Sequence, residues 1–311
     1  MPKQFLVGYT GFVGSNIAAA HHFDGLFNSK NITEAFDENP DLLIYAGIPA
    51  RKFYANQHPA EDLATIETAK TNIKNIHPKK LILISTIDVI AHPDNFYEND
   101  KTDASVLQPY GHNRLLLEEW AKANFKDSLI VRLPALYGIN LKKNFIFDLL
   151  HPVPGVVECA TFNSLLKNDS SLQDYYEDNH DGYFKLKNPD FGQDQNLLSI
   201  LKRQGFTALN FTDSRAKYQF YNLKNLWSHL EIAQNHNLDL LHLATEPISA
   251  AELYKYIYQT DFQNHLDSTP ASYNYKTLHA DLFGGHDDYI FDKETVLKDI
   301  KSFVESGGKK S

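Results

Sequence analysis

Apolar residues in the first half of the chain gather in short runs separated by longer amphipathic stretches. The runs at 5–8, 25–28, 42–46, 81–85 and 129–133 are bounded by turn residues and are too short for helices. They predict strands buried on both faces. Between them, the stretches 11–20, 60–76 and 111–124 repeat apolar residues at helical spacing, as in Val13, Ile17 and Ala18. This alternation predicts an α/β chain with an open parallel sheet covered by helices on both faces. The gap between 28 and 42 cannot hold a full crossover helix, so that layer is expected to shrink to a turn or two. From about 152 to 206 the pattern turns polar and irregular, which suggests an insertion in the form of a small helical lid. A strand is expected at 219–223. Ser249 followed by Glu252 is a capping-box pattern opening a helix. The stretch 295–304 sets Val296, Leu297, Ile300 and Phe303 on one helical face. No internal repeat is visible.

Ligands of such sheets lie beyond the carboxyl ends of the strands, so the residues just past each strand carry the chemistry. The first strand ends in Gly8-Tyr9-Thr10-Gly11-Phe12-Val13-Gly14. Gly-x-x-Gly-x-x-Gly between a strand and a helix is a pyrophosphate cradle. Gly8 makes the tight turn, Gly11 lets the backbone approach the phosphates, and Gly14 lets helix and strand pack. The helix N-terminus offers unpaired N–H donors. Residues 1–150 therefore form a dinucleotide-binding domain, to which segments near 207–250 return, and 151–311 form a substrate lobe. The second strand ends in Asn28-Ser29-Lys30 without a carboxylate. An acidic residue there holds the ribose hydroxyls of NAD, whereas Ser29 and Lys30 could grip a 2′-phosphate, so NADP is favoured; Asn28 on the ribose of NAD is the alternative. Ala46, Gly47 and Ile48 after the third strand are small enough for the chain to pass close to the adenosine side.

Three further strand ends bear motifs: Ser85-Thr86-Ile87-Asp88, Tyr110-Gly111-His112-Asn113-Arg114, and Arg132-Leu133-Pro134-Ala135-Leu136-Tyr137-Gly138. With the glycine turn, this set resembles the extended short-chain dehydrogenase/reductases, the sugar-nucleotide epimerases, dehydratases and reductases. The likeness is dense up to Asn144 and thin beyond it. It implies a Rossmann-type doubly wound parallel sheet with a smaller C-terminal α/β substrate lobe. It also implies NADP or NAD as cofactor and a nucleotide sugar as substrate. By position, the family's catalytic group becomes Thr86, Tyr110 and Arg114; Tyr110, Ser85, Pro134 and Leu136 would also lie against the cofactor, and Arg114 would anchor its nicotinamide ribose. A tyrosine beside a cation can give or take a proton at a substrate oxygen while hydride moves at the carbon, and Thr86 would orient that oxygen.

The sequence departs from the family in three places. Arg114 stands where the family has lysine; it keeps the charge but cannot release a proton. Asp62 lies near a position where many members have asparagine. Ile87 removes one carboxylate of the dehydratase pattern and leaves Asp88 as a shorter replacement, which ranks dehydration low. Reduction and epimerisation both remain open. So does a different class, a regulatory or structural nucleotide-binding protein with little or no turnover, which Arg114 permits.

Composition narrows the setting. The chain has 311 residues, a net charge of −9 and one cysteine, Cys159. The charge argues against nucleic acid or an anionic membrane as partner, and one cysteine allows no disulfide framework. The N-terminus shows no signal pattern and no run reaches spanning length, so a cytoplasmic protein is expected. Lys143 and Asn144, just past a strand end, and Arg215 in a polar cluster could meet anionic or hydroxyl groups of the substrate. Solvated lysines and a structural salt bridge at Arg215 would look the same in sequence. The helices at 60–76 and 108–124 correspond to the pair through which family members dimerise, so a homodimer is a further expectation.

Overall fold

The computed structural model describes residues 2–309. Five strands of the first half, β1 (Gln4–Val7), β2 (Gly25–Phe27), β3 (Leu42–Tyr45), β4 (Lys80–Thr86) and β5 (Ser128–Leu133), lie parallel in one sheet. A sixth strand, Leu240–His242, returns from far along the chain and pairs parallel with β5. The order is Leu240–His242, β5, β4, β3, β1, β2. The chain thus reverses direction between β1 and β3, and that switch point opens a crevice above their carboxyl ends.

Helices cover both faces. On one lie α1 (Phe12–Ala20) and the helix Leu226–Asn235, whose Ile17, Leu226, Leu230 and Ala233 pack on Leu6, Ile44, Ile82 and Val131. On the other lie α3 (Pro59–Ile76) and α4 (Pro109–Asn124), whose Ile66, Ile73, Leu117 and Ala121 pack on Val7, Leu43, Leu83 and Ile130. The short link between β2 and β3 contains a single 3-10 turn, Ile32–Ala35, as its length required. A separate short helix, α2 (Lys52–Gln57), stands between β3 and α3 where the periodicity gave no sign of one.

The second half differs from expectation in the unexpected sixth strand and in its insertion. Residues 152–206 are not a helical lid. They build a mixed unit with a three-stranded antiparallel sheet, Val156–Glu158, Tyr183–Leu186 and Tyr176–Asp178, under three helices. Phe162, Leu172, Tyr176, Leu197 and Leu201 form its own core. Alternation in such short strands is swamped by their polar exposed faces, which is why the stretch reads as irregular. The Ala208 N–H donates to the Pro152 carbonyl at 2.8 Å, so the unit leaves and rejoins the chain at one neck. The capping box at Ser249 and Glu252 forms as expected, opening the helix Ala250–Tyr258. The last helix runs Lys293–Glu305 with Val296, Leu297, Ile300 and Phe303 buried.

Candidate active site

The glycine turn has the geometry of a cradle. Gly8 sits at φ +92°, and a Cβ there would lie 2.4 Å from the Ala46 carbonyl oxygen, so only glycine fits the crossing of β1 and β3. A Cβ on Gly14 would meet the Gly8 carbonyl oxygen at 2.2 Å, so α1 can approach β1 this closely only without a side chain. Gly11 is the N-cap of α1 and has no side chain to cap it, which leaves the first N–H groups of the helix facing the crevice. Thr10, Phe12 and Val13 complete the turn. Ala46, whose N–H donates to the Val7 carbonyl at 2.9 Å, leads into Gly47 and Ile48 on its other side. These features fit a dinucleotide pyrophosphate.

At the end of β2, the Asn28 side chain accepts the Lys30 N–H at 2.8 Å and closes its own turn. Ser29 and Lys30 stand exposed beside it. A turn that presents a hydroxyl and an ammonium, with no carboxylate, is chemically suited to a phosphate.

Thr86 and Tyr110 meet above β4. Thr86 ends that strand and accepts the Asp88 N–H at 3.2 Å. Tyr110 enters from the first turn of α4, its N–H held by Asn56 at 3.0 Å. Burial pushes the Tyr110 phenol above its ordinary value. Arg114, a hydrogen bond from Thr86 and Lys52 all pull it back, while Asp88 pushes it up. The Arg114 guanidinium lies over the tyrosine ring, 4.1 Å from its centre. It does not stand free: it pairs with Asp62 of α3 and donates to the Pro49 carbonyl at 2.8 Å, with both charged side chains almost wholly buried. Asn113 donates to the same Asp62 carboxylate at 2.9 Å. Two of the three departures from the family pattern, Arg114 and Asp62, are thus partners.

The other residues named from sequence fall in different places. Pro134 lines a cavity of about 220 Å³ together with Thr86, Asp88 and Lys52. Leu136 lies in the short strand Ala135–Tyr137, next to Tyr221. The Ser85 hydroxyl donates to Glu118, whose carboxylate also takes Arg132. Arg132 in turn donates to His242 Nε2 at 3.1 Å, so the arginine of the Arg-x-Pro motif is a buried tie between β5, α4 and the sixth strand. Lys143 donates to the Ala50 carbonyl at 2.6 Å, and half-burial lowers its ammonium. Asn144 caps the short helix α5 (Phe145–Leu150) by accepting the Phe147 N–H. Arg215 makes a two-pronged pair with Asp213, at 2.9 and 2.6 Å, and remains half exposed.

Two site residues were missed in the sequence. Lys52, the first residue of α2, lines the cavity beside Thr86, and Tyr273 closes it from the C-terminal half. Lys52 could have been found, because it follows the carboxyl end of β3. Tyr273 lies in an irregular segment whose return to the site no local pattern announces.

No protein-family model matches the chain, and no curated protein matches it in sequence. Solved structures do match it. A dTDP-4-dehydrorhamnose reductase from Yersinia enterocolitica superposes with TM-score 0.64 at 13% identity, covering 99% of this chain and 100% of that one. RMD from Pseudomonas aeruginosa, solved with NADPH, gives 0.63 at 15%, covering 98% and 99%. A UDP-N-acetylglucosamine 4-epimerase from Methanobrevibacter ruminantium, solved with UDP-N-acetylmuramic acid, gives 0.62 at 12%, covering 98% and 97%. The chain shares the fold of these solved proteins. That agrees with the resemblance carried by its motifs.

Proposed function

We propose that the protein is an NAD(P)-dependent oxidoreductase or epimerase acting on a nucleotide-activated sugar or a similar hydroxylated carbonyl compound. One observation carries this reading: the glycine cradle and the Thr86–Tyr110–Arg114 group share the carboxyl edge of a single parallel sheet. Structural neighbours solved with NADPH and with a UDP-sugar support the cofactor and substrate class. Ser29 and Lys30 favour NADP over NAD.

A bound nicotinamide supplies or accepts the hydride. Tyr110 donates a proton to the substrate oxygen in reduction and removes it in oxidation. Thr86 holds the same oxygen and orients it. Arg114 stabilises the phenolate by its charge over the ring; because a guanidinium keeps its protons, Tyr110 must be reprotonated by another route. Pro134 and Leu136 bound the nicotinamide side. The test is hydride transfer from NADPH to a panel of nucleotide keto-sugars, and from nucleotide sugars to NADP. Tyr110→Phe is expected to lower turnover by about 10²- to 10⁴-fold and to leave NADPH affinity unchanged. Full turnover in that variant would remove Tyr110 from the chemistry.

A second reading, a nucleotide-binding protein with little turnover, is favoured by Arg114, which stands in place of a lysine with its guanidinium already spent on Asp62 and the Pro49 carbonyl. NADPH binding without hydride transfer in the parent across the whole panel would establish it.

A further inference from the structure

Lys52, Asp88 and Tyr273 come together from three distant parts of the chain: the start of α2, the turn after β4 and the C-terminal half. The Lys52 ammonium sits 2.6 Å from Asp88 Oδ1 and 3.4 Å from the Tyr273 hydroxyl, and that hydroxyl donates to the same Oδ1 at 3.2 Å. The cluster forms the wall between two cavities, of about 220 and 330 Å³, and lines both. The smaller also holds Thr86, Pro134, Tyr218 and Tyr275. Lys52 and Asp88 are the only charged residues lining either cavity among the described residues.

The Lys52 side chain is half exposed, and the Asp88 carboxylate is more deeply set beside it. Both contacts to Asp88 fall on Oδ1, and no hydrogen bond or ion pair falls on Oδ2 among the described residues. An ammonium has three donors, and Lys52 directs one at Asp88 and a long one at Tyr273. The pair therefore presents one unspent donor and one unspent acceptor side by side, at zero net charge. A lone ammonium would select an anion and a lone carboxylate a cation. Adjacent donor and acceptor fit hydroxyls, each of which gives one hydrogen bond and accepts another. The Tyr218 and Tyr275 rings and Leu133 supply apolar walls for the carbon face of a ring.

We propose that the Lys52–Asp88 pair, braced by Tyr273, is a clamp for two neighbouring hydroxyls of the substrate's sugar ring. The clamp rests on the reading of the site as a nucleotide-sugar site, and makes Lys52 and Asp88 specificity residues.

Calorimetric titration of the NADPH-loaded protein with UDP, UDP-glucose and UDP-galactose tests it. The parent is expected to bind at least one UDP-hexose about tenfold more tightly than UDP, the yield of one or two net hydrogen bonds. Lys52→Met and Asp88→Asn are each expected to erase that gain while leaving the affinities for UDP and NADPH unchanged. A full hexose gain in both variants, or no gain over UDP for either hexose in the parent, overturns the clamp and leaves the cofactor reading standing. Failure of the parent to bind NADPH overturns the underlying reading, and the clamp with it.

Discussion

Asp148 shows how burial alone sets a side chain's behaviour at the residue scale. It lies in the first turn of α5, where a carboxylate gains from the helix dipole, yet burial raises it to about 7. Because its folded value lies above the unfolded one, near 3.9, the folded chain holds a proton that the unfolded chain releases. Its contribution to stability is complete below about pH 4 and is lost as the pH rises through 7. Asp148→Asn is expected to leave stability at pH 4 nearly unchanged and to raise it by about 1–3 kcal/mol at pH 8. Urea unfolding of parent and variant at the two pH values checks this, and an equal effect at both would refute it. Single residues were legible in sequence where backbone geometry demands one type. Gly8 and Gly14 could be read because no other residue fits their places. Tyr273 could not be read as a site residue, because it lies in an irregular segment and nothing local marks its return to the cavity. Asn144 shows the converse: an amide just past a strand end reads as a substrate contact, and the structure gives it a helix cap.

At the scale of elements, α3 and α4 are joined by the buried Arg114–Asp62 pair, with Asn113 as a third member. Removing one partner of such a pair leaves the other charge buried and alone. Asp62→Ala is therefore expected to destabilise the fold by about 3–5 kcal/mol, read from denaturant unfolding. The double change Asp62→Asn with Arg114→Lys should lose less than the sum of the two single changes. Additivity within error would show that the two residues act independently. The sequence marked each as a departure from the family without linking them, since 52 positions separate them and only the packing of two helices brings them together. The parallel strands and long helices were legible because their burial is periodic. The unit at 152–206 was not, because its strands are three or four residues long and its core comes from distant pieces.

For the whole molecule, a parallel sheet whose chain reverses direction between β1 and β3 creates the crevice, and the second half of the chain closes it by returning Tyr218 and Tyr273 over Thr86. Fold class followed from sequence because alternating buried strands and amphipathic helices admit few arrangements. The walls of the cavity beside Thr86 did not, because they come from segments whose contacts are all long-range. The central claim is that this crevice holds a nicotinamide dinucleotide, and fluorescence titration with NADPH and NADH tests it most directly. Saturable binding is predicted, tighter for NADPH through Ser29 and Lys30, and lost in Gly14→Ala, where the added Cβ strikes the Gly8 carbonyl. Absence of binding by the parent for both nucleotides would contradict the account at its root.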